Sequence, residues 1–104
     1  NEVALVINDD YADGRDVSWL WDVDFSLIKP VKKVICSGTR AYDMAVRLKY
    51  NDIKASHIDT DIAKFIKNIG LSSDECVVYC TYTSMLKIRS ELNRQGASMQ
   101  EVSV

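Results

Sequence analysis

The chain has 104 residues, 47% hydrophobic and 27% charged, with four glycines and one proline, which excludes a disordered or fibrous segment and fits one globular domain over residues 1–104. Thirteen Lys and Arg against fifteen Asp and Glu leave a net charge of −2, too near neutral for a surface that neutralises phosphates, so nucleic acid is not an expected partner. No apolar run approaches the roughly 20 residues of a bilayer span, so no transmembrane segment is expected. The charge is uneven: residues 1–30 hold seven acids and two bases, a balance of −5, and the remainder carries +3. Three cysteines cannot all pair with one another and no signal peptide precedes them, which predicts free thiols and a cytoplasmic protein. An opening at Asn1, without Met, and an apolar stretch from Val3 read as a domain cut from a longer polypeptide.

Short β-branched runs alternate with stretches of helical spacing, a βα rhythm. Strands are predicted at residues 3–7, 31–36, weakly at 55–58, at 76–80 and at 99–104, three of them apolar on both faces as buried parallel strands are. The crowded apolar stretch 17–28 shows no single face and is read as one helix, ended by Pro30. A helix over 39–50 starts behind Thr39 and buries Ala41, Ala45 and Leu48, leaving Arg47 and Lys49 as solvated surface charges. Ile62, Phe65, Ile66 and Ile69 recur at helical spacing, with Asp59 or Thr60 as N-cap and Gly70 as the stop. A last helix over 83–94 buries Met85, Ile88 and Leu92. Right-handed crossovers between parallel strands make a three-layer α/β domain with a mainly parallel sheet of about five strands. Loops 8–16, 37–40 and 81–84 then share the carboxyl edge, where open α/β folds place their ligands.

Loop 8–16, NDDYADGRD, puts four carboxylates within eight residues, which repel one another unless something cationic or hydrogen-bonding sits among them. Asp13 or Asp16 can cap the following helix, and capping does not require four acids. Tyr11 and Leu20 occupy EF-hand positions that need oxygen ligands, which excludes that calcium loop. Cys76 and Cys80, roughly 13 Å apart along a strand at about 3.3 Å per residue, cannot share a metal, and no metal site is expected. The turn at 37–40 leaves a strand through Gly38, and Thr39 with Arg40 can hold a phosphate or carboxylate; any βα turn also uses Gly and Thr. Thr81 to Thr83 read as ordinary hydroxyl capping. Cys36 reads as a small buried apolar side chain. His57, the only histidine, has no nucleophile beside it and gets no catalytic role. Trp19 and Trp21 suit either the core or an interface anchor.

Three segments, NDDYADGRDVSWLWD from Asn8, SGTRAYDMAVRLKY from Ser37 and YCTYTSMLKIRSEL from Tyr79, together resemble the C-terminal domain of the MurT family, the Mur-ligase-like subunits of lipid II isoglutaminyl synthases. The resemblance implies a Rossmann-like domain of the Mur ligase C-terminal type that closes over an ATP-binding central domain lying outside this chain. It implies peptidoglycan chemistry at the inner face of the membrane. ATP with Mg2+ phosphorylates the α-carboxyl of D-glutamate in lipid II, and ammonia from a GatD-type glutaminase displaces the phosphate to leave D-isoglutamine. By the match of the Asp-Tyr-Ala loop, Asp9, Asp10 and Tyr11 are the nucleotide contacts. Asp13 stands where relatives carry His or Asn and Arg15 where they carry Pro, and the motif that grips an incoming amino acid is missing, as suits ammonia. The expectation is that Asp16, with Asp13 second, guides ammonia or completes the partner's Cys–His pair. Arg40 with Thr39 holds the substrate carboxylate or its acyl phosphate, and Trp19 with Trp21 meets the partner. Two alternatives follow: a docking domain with no chemistry of its own, or a ligase domain that uses an amino acid. On the first reading the isolated fragment is inactive.

Overall fold

A computed structural model describes residues 2–9, 18–31, 33–70 and 76–94. The predicted strand at 99–104 and the acids Asp10, Asp13 and Asp16, with Tyr11, lie outside the described residues. Four strands form a parallel sheet in the order β3-β2-β1-β4: β1 Glu2–Val6, β2 Lys33–Ser37, β3 His57–Asp59 and β4 Cys76–Cys80. Helices α1 Ala41–Lys49, α2 Ile62–Gly70 and α3 Tyr82–Arg94 connect or follow them.

Residues alternate across a strand, so β1 feeds two cores. Val3, Leu5 and Ile7 face α1 and pack with Cys36, Ala41, Met44, Leu48, Leu20 and Phe25, whereas Ala4 and Val6 face α2 and α3 and pack with Ile35, Phe65, Ile66 and Ile88. The result is the expected three-layer α/β architecture. Burial of Cys36 pushes its thiol up to about 12, since a low-dielectric core penalises thiolate. The three cysteines are free.

Several boundaries depart from expectation. The stretch read as one helix is two 3-10 turns, Ser18–Asp22 and Ser26–Ile28. Asp24 breaks it: its carboxylate accepts the Ser26 backbone N–H at 2.9 Å, a local alternative to the helical ladder, and Phe25 takes φ −94° and ψ 4°. Hydrogen bonds from the Ser26 backbone and hydroxyl hold the Asp24 carboxyl below its ordinary range. The cap of α1 is Arg40, with no side-chain capping bond, since a guanidinium has no acceptor to offer a backbone N–H; the Thr39 hydroxyl bonds Asp9. In α2 neither Asp59 nor Thr60 caps; Asp61 does, accepting from Ala63 N at 2.9 Å and Lys64 N at 3.4 Å. Ala45, Met85 and Leu92 are partly buried, and Met44 and Ser84 take the deep positions. Strand β4, apolar along its sequence, is not buried on both faces. It lies at an end of the described sheet, with Val77 and Tyr79 each 54% exposed.

Candidate functional site at the carboxyl edge

The loops that follow β1, β2 and β4 meet at one side chain. Asn8 is the first polar residue after the apolar run of β1 and is 1% exposed. Its Oδ1 accepts the Thr39 backbone N–H at 3.0 Å, its own N–H donates to Thr81 Oγ1 at 3.0 Å, and its Nδ2 donates to Thr83 Oγ1 at 3.4 Å. A neutral amide carries both a donor and an acceptor, so one Asn ties two crossovers without burying charge. Backbone bonds repeat the tie: Arg40 N donates to Ile7 O at 2.9 Å and Thr81 N to Val6 O at 3.2 Å. Below them the buried Ser84 hydroxyl, 3.0 Å from Thr81 Oγ1, donates to Val6 O at 2.8 Å.

Gly38 is required by the same approach. Its φ is +91°, and an added Cβ would run into the Ile7 carbonyl oxygen and stand 2.8 Å from Asn8 Oδ1, so any side chain is excluded by both strain and space.

This knot places Asp9, Thr39 and Arg40 together on the rim. Thr39 Oγ1 accepts from Asp9 N at 3.2 Å and donates to Asp9 Oδ1 at 3.0 Å. Arg40 Nε lies 3.2 Å from Asp9 Oδ2, and its NH1 donates to Asp43 Oδ2 at 3.2 Å. The Nε–Asp9 approach is an ion pair by distance, yet it is not aligned as a hydrogen bond and Nε keeps an unmet donor. Arg40 is thus held between two carboxylates, and an anion there competes with Asp9 for it. Each Asp9 oxygen already has one partner and retains a lone pair, which suits hydroxyl donors such as a ribose better than a phosphate.

Two clefts flank the knot. On the α2–α3 side a polar cleft of about 310 Å³ is lined by Asn8, Thr39, Asp61, Lys87, Ser90 and Glu91. On the other face an apolar one of about 390 Å³ lies between the 3-10 turns and β4, lined by Leu5, Trp19, Leu20, Phe25 and Tyr79. Trp19 and Trp21 are 40% and 52% exposed, so they lie at the surface and are not core. His57 is exposed on β3, away from the knot. Among the described residues no three His, Cys, Asp or Glu side chains converge as a metal site, and no helix is long and apolar enough to cross a membrane.

Two organising residues escape the sequence reading. Asn8 reads only as the start of an acidic loop, although a polar residue directly after a buried strand at the carboxyl edge is the available signal. Arg47, read as a solvated charge, is 8% exposed. Its Nε donates to Leu20 O at 2.7 Å, NH2 to Val23 O at 2.6 Å and NH1 to Asn51 Oδ1. Its position between Met44 and Leu48 on the buried face of α1 is the signal for that one.

With the geometry in place, the chain matches the family model described as "MurT ligase C-terminal" over residues 1–85. It is 34% identical over 94 residues to the lipid II isoglutaminyl synthase (glutamine-hydrolyzing) subunit MurT of Staphylococcus aureus strains COL and N315, covering 88% of this chain and 22% of the relative. To the subunit of the same name from Streptococcus pneumoniae it is 31% identical over 108 residues, covering 97% of this chain and 24% of the relative. The chain thus spans about a quarter or less of the length of these relatives.

Proposed function

The chain belongs to the MurT ligase family, and on that premise we propose that it is the C-terminal domain of an ATP-dependent carbon–nitrogen ligase. That ligase amidates the D-glutamate α-carboxyl of lipid II to D-isoglutamine in the cytoplasm, at the inner membrane face, with ammonia from a GatD-type glutaminase subunit. The observation that carries this reading is the knot at Asn8, which brings Asp9, Thr39 and Arg40 to one rim of the sheet. A domain that only docked a partner has no evident need for Asp9, Thr39 and Arg40 gathered at the edge where open α/β folds bind ligands.

In this reading the substrate carboxylate takes the γ-phosphoryl group of ATP with loss of ADP, and ammonia attacks the activated carbonyl carbon and expels phosphate. ATP with Mg2+ is bound mainly by the central domain outside this chain. Asp9, whose two oxygens retain acceptor capacity, holds ribose hydroxyls, and Asp10 and Tyr11 are the further nucleotide contacts that the family match names. Arg40, steered by Asp9 and Asp43, holds the substrate carboxylate as its charge builds, where a preorganised cation stabilises the transition state. Thr39 fixes Asp9 through two hydrogen bonds. Asp16, with Asp13 second, guides ammonia or orients the partner's Cys–His pair.

The experiment is amidation of lipid II by the full-length chain with its glutaminase, with Asp13→Asn and Asp16→Asn tested separately. Loss of glutamine-driven turnover in at least one variant is expected, and undiminished turnover in both removes the proposed role of the acids. The second reading, a docking domain, is favoured by the exposure of Trp19 and Trp21. Such a domain keeps full turnover in every rim variant and loses only partner affinity when the tryptophans change.

A further inference from the structure

The guanidinium of Arg47 is buried, and among the described residues its hydrogen-bond partners are two backbone carbonyls and an amide, with no acid among them. The exposed Asp24 carboxylate interacts with it coulombically but does not hydrogen-bond it; taking a cation out of water is costly, and an apolar side chain of similar volume in its place is often neutral or stabilising. An arginine at such a place therefore points to a geometry that only its fork can impose.

That geometry centres on Trp21. The two acceptors bracket Trp21 in the chain: Leu20 O lies in the second half of the turn Ser18–Asp22 and Val23 O directly after it. Carbonyls at the end of a helical turn have no partner within it and carry partial negative charge, so Arg47 caps the turn as a cation. The Arg47 guanidinium carbon lies 5.3 Å from the Trp21 ring centroid and 5.0 Å from that of Phe25, within cation–π range. On the other side Tyr50 meets Trp21 edge to face, with centroids 4.8 Å apart and planes at 79°. Trp21 is thus held through the carbonyls of Leu20 and Val23 on either side of it and through its ring by Arg47 and Tyr50, and it still leaves 52% of its surface exposed. An exposed aromatic already fixed in one orientation loses little entropy on binding, which is the property of an interface anchor.

We propose that Arg47 is the positioning residue of the partner-binding surface: it presets Trp21 for the glutaminase subunit. The proposal rests on the reading of Trp21 as a partner contact and deepens it. A lysine has a single ammonium on a flexible stem and cannot serve both carbonyls while lying flat against the rings, so Arg47→Lys is the informative substitution. Arg47→Met, which keeps the volume, serves as a second variant in case the ammonium is rejected from the site.

The test uses the full-length chain with Trp19 changed to Phe, its other tryptophans likewise changed to Phe, so that Trp21 alone reports, together with the glutaminase subunit. Trp21 emission and acrylamide quenching are measured first, then partner affinity, for Arg47→Lys, Arg47→Met and the control Leu48→Ala, which opens the adjacent core without touching the clamp. Expected is a red-shifted, more readily quenched Trp21 in both Arg47 variants and about tenfold weaker partner affinity, a hot-spot-sized loss of packing order, with Leu48→Ala leaving the emission unchanged. Unaltered Trp21 emission in both Arg47 variants overturns the proposal, as does an equal shift in Leu48→Ala. Altered emission with unaltered affinity also overturns it, provided Trp21→Ala weakens binding. If Trp21→Ala itself leaves affinity unchanged, the partner-contact reading has failed and the positioning role falls with it; the emission data still show whether Arg47 holds the ring.

Discussion

The carboxyl-edge knot and the tryptophan clamp are both built on buried polar side chains, and they solve the problem in opposite ways. Asn8 is neutral; it accepts from the loop after β2 and donates to the threonines that follow β4. Arg47 is charged and, among the described residues, hydrogen-bonds two carbonyls and an amide, lies against aromatic faces and interacts coulombically with Asp24. The first holds polar side chains at the rim of the sheet; the second holds an aromatic ring at the surface. The difference suits the division of labour proposed above, in which the rim serves the chemistry and the clamped turn serves contact with the partner subunit.

Rim variants separate the two regions most sharply. Arg40→Lys, assayed at saturating partner, is expected to lower kcat for lipid II amidation by about a hundredfold, the scale of one lost transition-state contact, with no recovery as partner concentration rises. Asn8→Ala removes the acceptor of the Thr39 N–H and the donor to Thr83 Oγ1 and is expected to cost about 1–3 kcal/mol of stability, read as a lower urea midpoint with an unchanged slope. Trp21→Ala is expected to weaken partner binding by about tenfold and to regain glutamine-driven turnover when the partner is in excess. A rim variant rescued by excess partner, or a Trp21 variant that is not, breaks the division.

The smallest effect in the working pH range concerns the thiols. Cys36 is raised to about 12 and Cys76 to about 11 from an ordinary 9.0, both chiefly by burial. A raised folded-state value means that the stability tied to the protonated thiols is intact below pH 9.0 and is lost as pH climbs toward about 11 and then about 12. Equilibrium unfolding is therefore expected to show no thiol-dependent change between pH 6 and 8. At pH 8 a thiol reagent should label the exposed Cys80 well ahead of Cys36.

Much of this fold is legible in the chain because local patterns and global architecture agree. The β-branched runs of β1 and β2 and the i, i+3, i+4 stripe of α2 are consequences of burial on two faces and on one, and both survive in the structure. Strand order is another matter. EVALV in β1 and CVVYC in β4 look equally apolar, yet one is buried along its whole length and the other is largely exposed, because a strand's place in a sheet depends on its neighbours. The turn at residues 18–28 was misread for a related reason: its apolar density came from exposed tryptophans as well as from the buried Leu20 and Phe25. At the site, Thr39 and Arg40 are named by a turn that can hold an anion and Asp9 by the family resemblance, and the structure brings the three together. Asn8 and Arg47 were missed because their importance lies in what they hold, which only the tertiary contacts reveal.

The most direct test of the central claim, that the carboxyl edge takes part in the amidation itself, is turnover with ammonium chloride in place of glutamine. Lipid II amidation by the full-length chain in complex with excess glutaminase subunit is measured for wild type and Arg40→Gln, with both nitrogen sources and folding checked by circular dichroism. A rim that serves the reacting carboxylate predicts that Arg40→Gln is slowed by about a hundredfold with either source. Wild-type turnover of Arg40→Gln on ammonium would contradict the account and leave the domain as a docking module.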